Sequence, residues 1–233
     1  MQTTKENSMT RTIYHGSDHI IEKPVFGAGK PYNDYGLGFY CTENPDMAKE
    51  WAVGKHSNGF SNCYNIDCTD LSILNLCDKN YTILNWLAIL LENREFDIIS
   101  PLAYQAKQYI QSTFHIDYRN YDCIIGYRAD DSYFSFAQDF LSGTISYRQL
   151  NRAMFLGKLG QQFVMISERS FENISFSGYE KALSADWYHR KMNRDRLACR
   201  EYFDESKNRF EPGDIYITHI LSEEMKADDP RLR

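Results

Sequence analysis

The sequence predicts an α+β fold in a single domain, because strand-like and helix-like segments occupy different parts of the chain. Short apolar runs typical of strands occur early, at Arg11–His15 and Phe39–Cys41. The middle of the chain contains longer segments whose leucines recur at helical spacing, as in Tyr81–Asn93. A strongly apolar run returns late, at Gln161–Ser167. Strands towards both ends with helices between them are typical of α+β folds.

Seven strands are predicted from short runs that are apolar or that alternate between apolar and polar residues. The segment Asp18–Tyr32 separates the first two and is predicted to be a loop, because it is rich in proline and glycine. In chain order the predicted strands are Arg11–His15, Phe39–Cys41, Cys63–Ile66, Leu71–Leu76, Tyr121–Gly126, Gln161–Ser167 and Ile215–Leu221.

Six helices are predicted, two of them with clear start signals. Pro101 suits a first helical turn, and Ser146 with Gln149 forms a capping box. In chain order the predicted helices are Asp46–Val53, Tyr81–Asn93, Pro101–Ser112, Ser132–Leu141, the segment from Ser146 to about Leu156, and Tyr179–Tyr202. The domain prediction is therefore a flexible N-terminal segment, 1–10, and one domain, 11–233. That domain carries a helical insertion at about 80–115 and a long helix at about 179–203.

Composition places limits on the class of protein. The formal net charge of −6 argues against non-specific wrapping of nucleic acid, although a local basic patch could still bind it. The six cysteines form no CxxC pair, so no metal site is expected, and they suit reduced core positions. No apolar stretch is long enough for a signal peptide or a membrane span. We therefore expect a soluble cytoplasmic protein.

Two aromatic residues stand out in the segment Asp34–Ala52. Gly36 and Gly38 precede a short strand that carries Tyr40, and Trp51 follows on the next predicted helix. Glycine lets the backbone approach another group closely, because it has no Cβ. Two rings presented by adjacent elements can clamp a flat heterocycle, although ordinary core packing is the better explanation when such rings are considered alone.

A second segment upstream, Tyr14–Ser17 (YHGS), changes the interpretation of the first. Together with Gly36–Thr42 (GLGFYCT) and Trp51, it resembles the ADP-ribosyltransferase superfamily, in the branch that includes the poly(ADP-ribose) polymerases. The polymerases usually have tyrosine where this chain has Trp51, and both residues supply a ring. The chain resembles more closely a bacterial family of uncharacterised ADP-ribosyltransferase-like proteins, often encoded beside small antitoxin-like partners. That likeness runs from about Arg11 to Gln162 and on towards the C-terminus.

The resemblance implies a split β-sheet core with peripheral helices, and a role for each motif residue in binding NAD+ as the substrate. His15 would hydrogen-bond the adenosine ribose, with Ser17 as a weaker candidate for the ribose. The backbone of Gly16 would meet the nicotinamide carboxamide. Tyr40 and Trp51 would sandwich the nicotinamide ring.

The third catalytic residue of this branch is a glutamate on a late strand, and Gln162 occupies the matching position here. An amide oxygen can still accept a hydrogen bond, but it brings neither charge nor a general base. Losing that charge could reduce the rate by roughly 10²–10³, if its worth resembles that of one oxyanion-hole donor. Gln161 is the alternative assignment for this third residue. In the structural alternative, Gln162 is an ordinary polar residue of the strand.

Two charged features carry weaker hypotheses. Asp130 and Asp131 follow a predicted strand and suit a solvated turn better than an acceptor site. Basic residues cluster on the long helix at 189–200, where ion pairs within a solvated helix are a better explanation than binding of nucleic acid or an acidic partner.

The resulting expectation is an NAD+ ADP-ribosyltransferase that attaches a single ADP-ribose to a protein or nucleic acid. A toxin of a toxin–antitoxin pair, with a small cognate antitoxin protein, or a phage-defence effector would fit this activity. An NAD+ glycohydrolase and a non-catalytic module that binds NAD+ or ADP-ribose are the alternatives. No metal is expected to take part.

Overall fold

The strands form two separate open sheets, and the helices flank them. A computed structural model describes residues 9–129, 131–155, 160–207 and 211–233. The strands are β1 (Thr10–Ser17), β2 (Phe39–Cys41), β3 (Gly59–Asp67), β4 (Ile73–Asn75), β5 (Cys123–Tyr127), β6 (Gln161–Met165) and β7 (Ile174–Ala182). The prediction of an α+β fold is confirmed.

The described helices fall mainly in the middle and late parts of the chain. They are α1 (Pro45–Ala52), α2 (Ile83–Asn93), α3 (Pro101–Thr113), α4 (Asp131–Leu141), α5 (Tyr147–Ala153), α6 (Glu168–Glu172), α7 (Ser184–Lys207) and α8 (Ile217–Ser222). Short 3₁₀ turns lie at Tyr118–Asn120 and Pro230–Leu232. None of the helices in the described ranges is long and apolar enough to cross a membrane.

The two sheets differ in strand direction. The first is antiparallel throughout, in the order β1-β3-β7. The second has the order β2-β6-β5-β4, with β4 and β5 parallel and the other neighbours antiparallel. The sheets meet where Tyr14 and Thr42 exchange two backbone hydrogen bonds of 2.8 and 2.9 Å. This junction places the middle of β1 beside the C-terminal end of β2.

Two apolar layers cover the second sheet. Ile13 and Tyr64 of the first sheet pack with Phe163 and Met165 of the second in one core cluster. Val164, on the opposite face of β6, belongs to a larger cluster built mainly by α2, α3, α4 and α5. Successive β6 side chains therefore point to different layers, as the period of two in a strand requires.

Two predicted elements were wrong in the last third of the chain. Residues 179–182 end strand β7, so the long helix begins at Ser184 and not at about 179. The predicted strand at Ile215–Leu221 is the helix α8, which begins after Tyr216. Its buried residues Ile217 and Ile220 are three positions apart, which suits a helix face better than alternation along a strand.

Some predicted boundaries fall outside the described residues. Most of the predicted N-terminal segment, 1–10, lies there, while Thr10 already belongs to β1. Asp130 and the predicted end of the helix near Leu156 also lie outside them. Within the described part, the predicted helical insertion at 80–115 corresponds to α2 and α3.

Gly16 lets helix α1 pack directly against strand β1. A Cβ at Gly16 would lie 2.0 Å from the carbonyl oxygen of Ala48 and 2.8 Å from the backbone nitrogen of Ala52. Both are backbone atoms, so neither can move without displacing the helix. The structure therefore explains this glycine by close packing of two elements.

We expect Gly16→Ala to destabilise the protein by about 3 kcal/mol, the upper end of the usual cost of overpacking, because the added methyl must push α1 away from β1. Urea unfolding of the purified variant would measure this change. Gly27→Ala is the matched control: its φ of 83° strains an alanine, but nothing lies within 4 Å of the new methyl. It should cost only about 1 kcal/mol, and equal costs for the two variants would contradict the packing explanation.

Candidate functional site

A cleft of about 840 Å³ brings together side chains from distant parts of the chain. It is lined by residues of β1, β2, α1, β6 and α7, and by the loop between β1 and β2. Four of the six residues predicted from the sequence line it: His15, Tyr40, Trp51 and Gln162. The other two, Gly16 and Ser17, lie outside this lining set.

His15 is oriented by its neighbours on β2. Its Nδ1 lies 2.7 Å from the carbonyl oxygen of Tyr40, and its ring stacks on Phe39 with centroids 4.3 Å apart. Burial lowers the pKa of His15 below its ordinary value, which favours the neutral ring near pH 7. Because a carbonyl only accepts, Nδ1 carries the proton in that ring. Nε2 is then an acceptor for a hydroxyl donor.

Tyr40 is fixed by the loop that precedes its own strand. Its hydroxyl donates to the carbonyl oxygen of Gly36 at 2.7 Å and accepts from the backbone nitrogen of Tyr35 at 3.0 Å. Burial raises the pKa of Tyr40 well above its ordinary value, so the phenol stays neutral. The hydroxyl is thus engaged in holding the loop, and the ring is the part of Tyr40 suited to a ligand.

Trp51 shares the cleft with an arginine. The guanidinium of Arg128 lies over the Trp51 ring, 4.6 Å from its centroid, an arrangement typical of a cation–π contact. The indole Nε1 is buried and has no hydrogen-bond partner among the described residues. One face of Trp51 is therefore already covered, and a flat ligand would stack on the other face or displace Arg128.

Ser17 and Gly16 contact other parts of the protein. The Ser17 hydroxyl donates to the carbonyl oxygen of His19 at 2.6 Å and accepts from the Asn62 side chain at 2.9 Å. Gly16 is packed under α1, as described above. The absence of a side chain at Gly16 thus has a structural reason that does not involve a ligand.

Gln162 is a buried residue of the cleft wall, and its side chain donates a hydrogen bond to a carboxylate. Its Nε2 donates to Oδ2 of Asp34 at 3.3 Å, while its Oε1 is enclosed and has no partner among the described residues. An unpaired buried acceptor costs about 1–3 kcal/mol. The alternative residue Gln161 is exposed and lines a second cleft of about 580 Å³ instead. Of the two glutamines, only Gln162 lies at the cleft that contains His15 and Tyr40.

Asp34 is the residue that sequence reasoning missed. It is only 5% exposed, and its carboxylate accepts from the backbone nitrogen of Ala129 at 2.9 Å and from Gln162. Arg94 lies 3.4 Å from its other oxygen. Burial raises the pKa of Asp34 to about 6, against the effect of these donors and of the Arg94 and Arg128 charges. The signal available in the sequence was an acid two residues before the Gly36–Thr42 motif.

The cleft is rich in positive charge although the chain is acidic overall. Its lining contains the basic residues Lys23, Lys30, Arg94, Arg128, Lys191 and Arg194, and the acidic residues Asp34, Glu50 and Asp195. Six cations against three acids give an excess of three positive charges. Such a cleft favours an anionic ligand over a cationic one.

One ion pair joins the two helices beside the cleft. Arg194 of α7 donates from two nitrogens to the buried Glu50 of α1, both at 2.8 Å. Lys191 donates to the carbonyl oxygen of Val53 at 3.4 Å, just past the end of α1. Arg194 therefore pairs between helices, whereas the sequence favoured pairs within a solvated helix. The pair fixes α7 as one wall of the cleft.

Comparison with known protein families finds a match over most of the chain. The model of a family described as a protein of unknown function (DUF3990) matches residues 11–176. The matched range contains β1, β2, α1 and β6, which carry the four predicted residues of the cleft. Searches of curated proteins and of solved structures find no match.

We expect Asp34→Asn to change how stability depends on pH. A folded pKa of about 6, against an ordinary value of 3.8, means that the stability contributed by protonated Asp34 is present in full below about pH 4 and is lost as the pH rises through 6. The loss should total about 3 kcal/mol. Relative to Asp34→Asn, the native chain should therefore lose stability between pH 4 and pH 7. Urea unfolding at several pH values tests this, and a difference that does not vary with pH would contradict it.

Proposed function

The chain belongs to the DUF3990 family, whose function is unknown, and we propose that it is an NAD+-dependent ADP-ribosyltransferase with the split-sheet fold of that superfamily. It would transfer a single ADP-ribose to a macromolecule in the cytoplasm. A small antitoxin protein is the partner that the same proposal implies. No metal takes part in this reaction.

The observation that supports the proposal most is the meeting of His15, Tyr40, Trp51 and Gln162 at one cleft. They come from β1, β2, α1 and β6. Core packing could explain each aromatic residue separately. It does not explain why the motif residues of one superfamily line the same polar cleft.

The charge and size of the cleft agree with a dinucleotide. Its volume of about 840 Å³ lies within the roughly 300–1,000 Å³ typical of small-molecule sites. The pyrophosphate of NAD+ is anionic, and the positive excess of the lining would attract it. Lys23 and Lys30 lie in the loop between β1 and β2, and Lys191 extends from α7. These three cations are suited to screening the pyrophosphate.

The reaction needs few groups from the protein. The bond between the ribose carbon and the nicotinamide nitrogen breaks, its electron pair leaves with neutral nicotinamide, and positive charge develops on the ribose. The acceptor then bonds to that carbon and releases its proton. His15 Nε2 would accept from the adenosine ribose, and Tyr40 and Trp51 would hold the nicotinamide ring. Gln162 Oε1 would accept from a hydroxyl of the nicotinamide ribose.

A binding module is the second candidate, because Gln162 supplies no charge of its own. An amide oxygen interacts with a positive ribose less strongly than a carboxylate does. A chain of this kind could bind NAD+ or ADP-ribose without cleaving it. A glycohydrolase would instead cleave NAD+ with water as the acceptor.

Incubation with labelled NAD+ and bacterial lysate distinguishes these candidates. Label that survives nuclease but not protease indicates a protein acceptor, and the reverse indicates nucleic acid. Free ADP-ribose alone indicates a glycohydrolase, and bound but uncleaved NAD+ indicates a binding module. A chain that neither binds nor cleaves NAD+ refutes the proposal. His15→Ala should reduce labelling, with His189→Ala as the control, because His189 is exposed on α7 and outside the cleft lining.

Trp51 provides a direct test of the aromatic clamp. Trp51→Ala should weaken NAD+ binding by about 1–3 kcal/mol, as expected for the loss of one stacked ring. That corresponds to a roughly 5- to 150-fold rise in Kd. Calorimetry on variants that melt cooperatively would measure it.

Trp51→Phe is the matched control for this prediction. It keeps a six-membered aromatic ring and removes the five-membered ring of the indole with its nitrogen, which has no partner among the described residues. It should therefore bind NAD+ within about tenfold of the native chain. If folded Trp51→Ala binds NAD+ as tightly as the native chain, the ring belongs to the core and not to the ligand site.

A further inference from the structure

We propose that Asp34 is a positioning residue of this site: its carboxylate fixes the amide of Gln162 for the substrate ribose and supplies the negative charge that Gln162 lacks. This inference rests on the proposed function and extends it. It assigns a role to a loop residue that lies 128 positions before Gln162.

The hydrogen bond between the two side chains determines how the amide is turned. An ionised carboxylate only accepts hydrogen bonds, so Gln162 must direct Nε2 towards Asp34. The amide oxygen is then on the other side, unpaired. A ribose hydroxyl would complete this acceptor. Oε1 is enclosed by its neighbours, so the hydroxyl reaches it only after the surrounding side chains move.

Asp34 is itself held from three directions. The backbone nitrogen of Ala129 follows β5, Arg94 follows α2, and Gln162 lies in β6. A group held by several elements keeps its geometry when a ligand binds, which is what orientation of a second side chain requires. A lone turn carboxylate in solvent could not provide this.

The charge of Asp34 would act on the ribose from a buried position in the wall of the cleft. Both Asp34 and Gln162 line the cleft, and Coulomb attraction is less screened there than in water. The titratable groups that face the carboxylate are Arg94, Arg128, Tyr35 and Tyr40. Burial keeps both tyrosines neutral, so the arginines are the only charges among these four. The ionised carboxylate keeps a negative centre beside Gln162.

Protonation of Asp34 would remove both effects. A protonated carboxyl gains an O–H donor, and the amide of Gln162 could then turn to accept from it. Oε1 would no longer be available to the ribose, and the negative charge would be lost. Nicotinamide release should therefore fall as the pH drops through about 6, the pKa of Asp34. This fall is the acidic limb of the pH–rate profile. Titration of His15 could contribute to the limb in the same pH range, so mutation must separate the effects of Asp34 and His15.

Exchanging the two side chains gives the sharpest test. Asp34→Asn leaves an amide facing an amide and no charge, so kcat for nicotinamide release should fall by roughly 10- to 100-fold, the range for lost supporting contacts. KM should change by less than about threefold. The double variant Asp34→Asn/Gln162→Glu restores a carboxylate–amide pair with the charge moved to position 162. It should recover kcat to within about tenfold of the native chain.

Asp214→Asn is the control for removing an aspartate whose side chain is enclosed and paired with an arginine. The Asp214 side chain is 4% exposed and pairs with Arg148 at 2.9 Å, and neither residue lines the cleft. This variant should keep both the rate and the acidic limb. Cooperative melting of every variant ensures that folded proteins are compared.

The outcomes separate this inference from the proposed function. A native chain that cleaves NAD+ with an acidic limb near pH 6, which Asp34→Asn removes, supports both. An active native chain whose rate and limb are unchanged in Asp34→Asn overturns the role of Asp34 and leaves the transferase proposal in place. A limb that persists in Asp34→Asn at a reduced rate assigns that limb to His15 and overturns the pH part of the inference.

A second measurement does not need NAD+. The side-chain amide signals of Gln162, assigned by their loss in Gln162→Ala, should shift with pH through about 6 in the native chain and stay constant in Asp34→Asn. A native chain that fails to bind NAD+ refutes the proposed function and this inference with it. If the amide signals still shift, the pairing of the two side chains stands as a structural feature. If they do not shift, that pairing is refuted as well.

Discussion

The buried carboxylate of Asp34 is the interaction on which the geometry of the cleft depends. Taking an ionised carboxylate out of water is costly unless donors replace the lost hydration. Here Ala129, Gln162 and Arg94 replace part of the lost hydration. The replacement is incomplete, so the pKa of Asp34 is raised to about 6. The segment that begins at Asp34 also fixes Tyr40, because the backbone of Tyr35 and of Gly36 forms hydrogen bonds with the Tyr40 hydroxyl. Movement of Asp34 would therefore disturb both the orientation of the Gln162 side-chain amide and the position of the Tyr40 ring.

Close packing of backbones is the second constraint, and it changes the meaning of the glycines in the sequence. A Cβ at Gly38 would lie 2.9 Å from the carbonyl oxygen of Met165, and one at Gly16 would meet the backbone of α1. Gly36 has a φ of 73°, which a residue with a side chain rarely adopts. These glycines let β2 and α1 come close to their neighbours. The close approach that the sequence indicated is therefore an approach to other parts of the protein.

The sequence predicted well the parts of the fold that have a clear local pattern, and less well those decided by distant contacts. The YHGS and GLGFYCT segments lie on β1 and β2 as expected. Strand β7 was missed because residues 179–182 were assigned to the long helix and residues 174–178 to no element, although Ile174 and Phe176 alternate with serines. Asp34 could not be identified as a site residue, since an acid beside asparagine and glycine is typical of an exposed turn. Its burial comes from Arg94 and Ala129, which are 60 and 95 positions away.

The identities of residues 34 and 162 constrain each other. Two carboxylates at hydrogen-bond distance cannot both remain ionised, because their repulsion raises the pKa of one of them. The 3.3 Å contact between Asp34 and Gln162 thus leaves room for a single charge. Asp34 has a backbone amide and an arginine close to it, while the Gln162 oxygen has no such donors among the described residues. The charge is therefore less costly at position 34, and a neutral glutamine at 162 is what allows it to be there. A neutral glutamine at position 162 consequently does not mean that the cleft lacks a carboxylate.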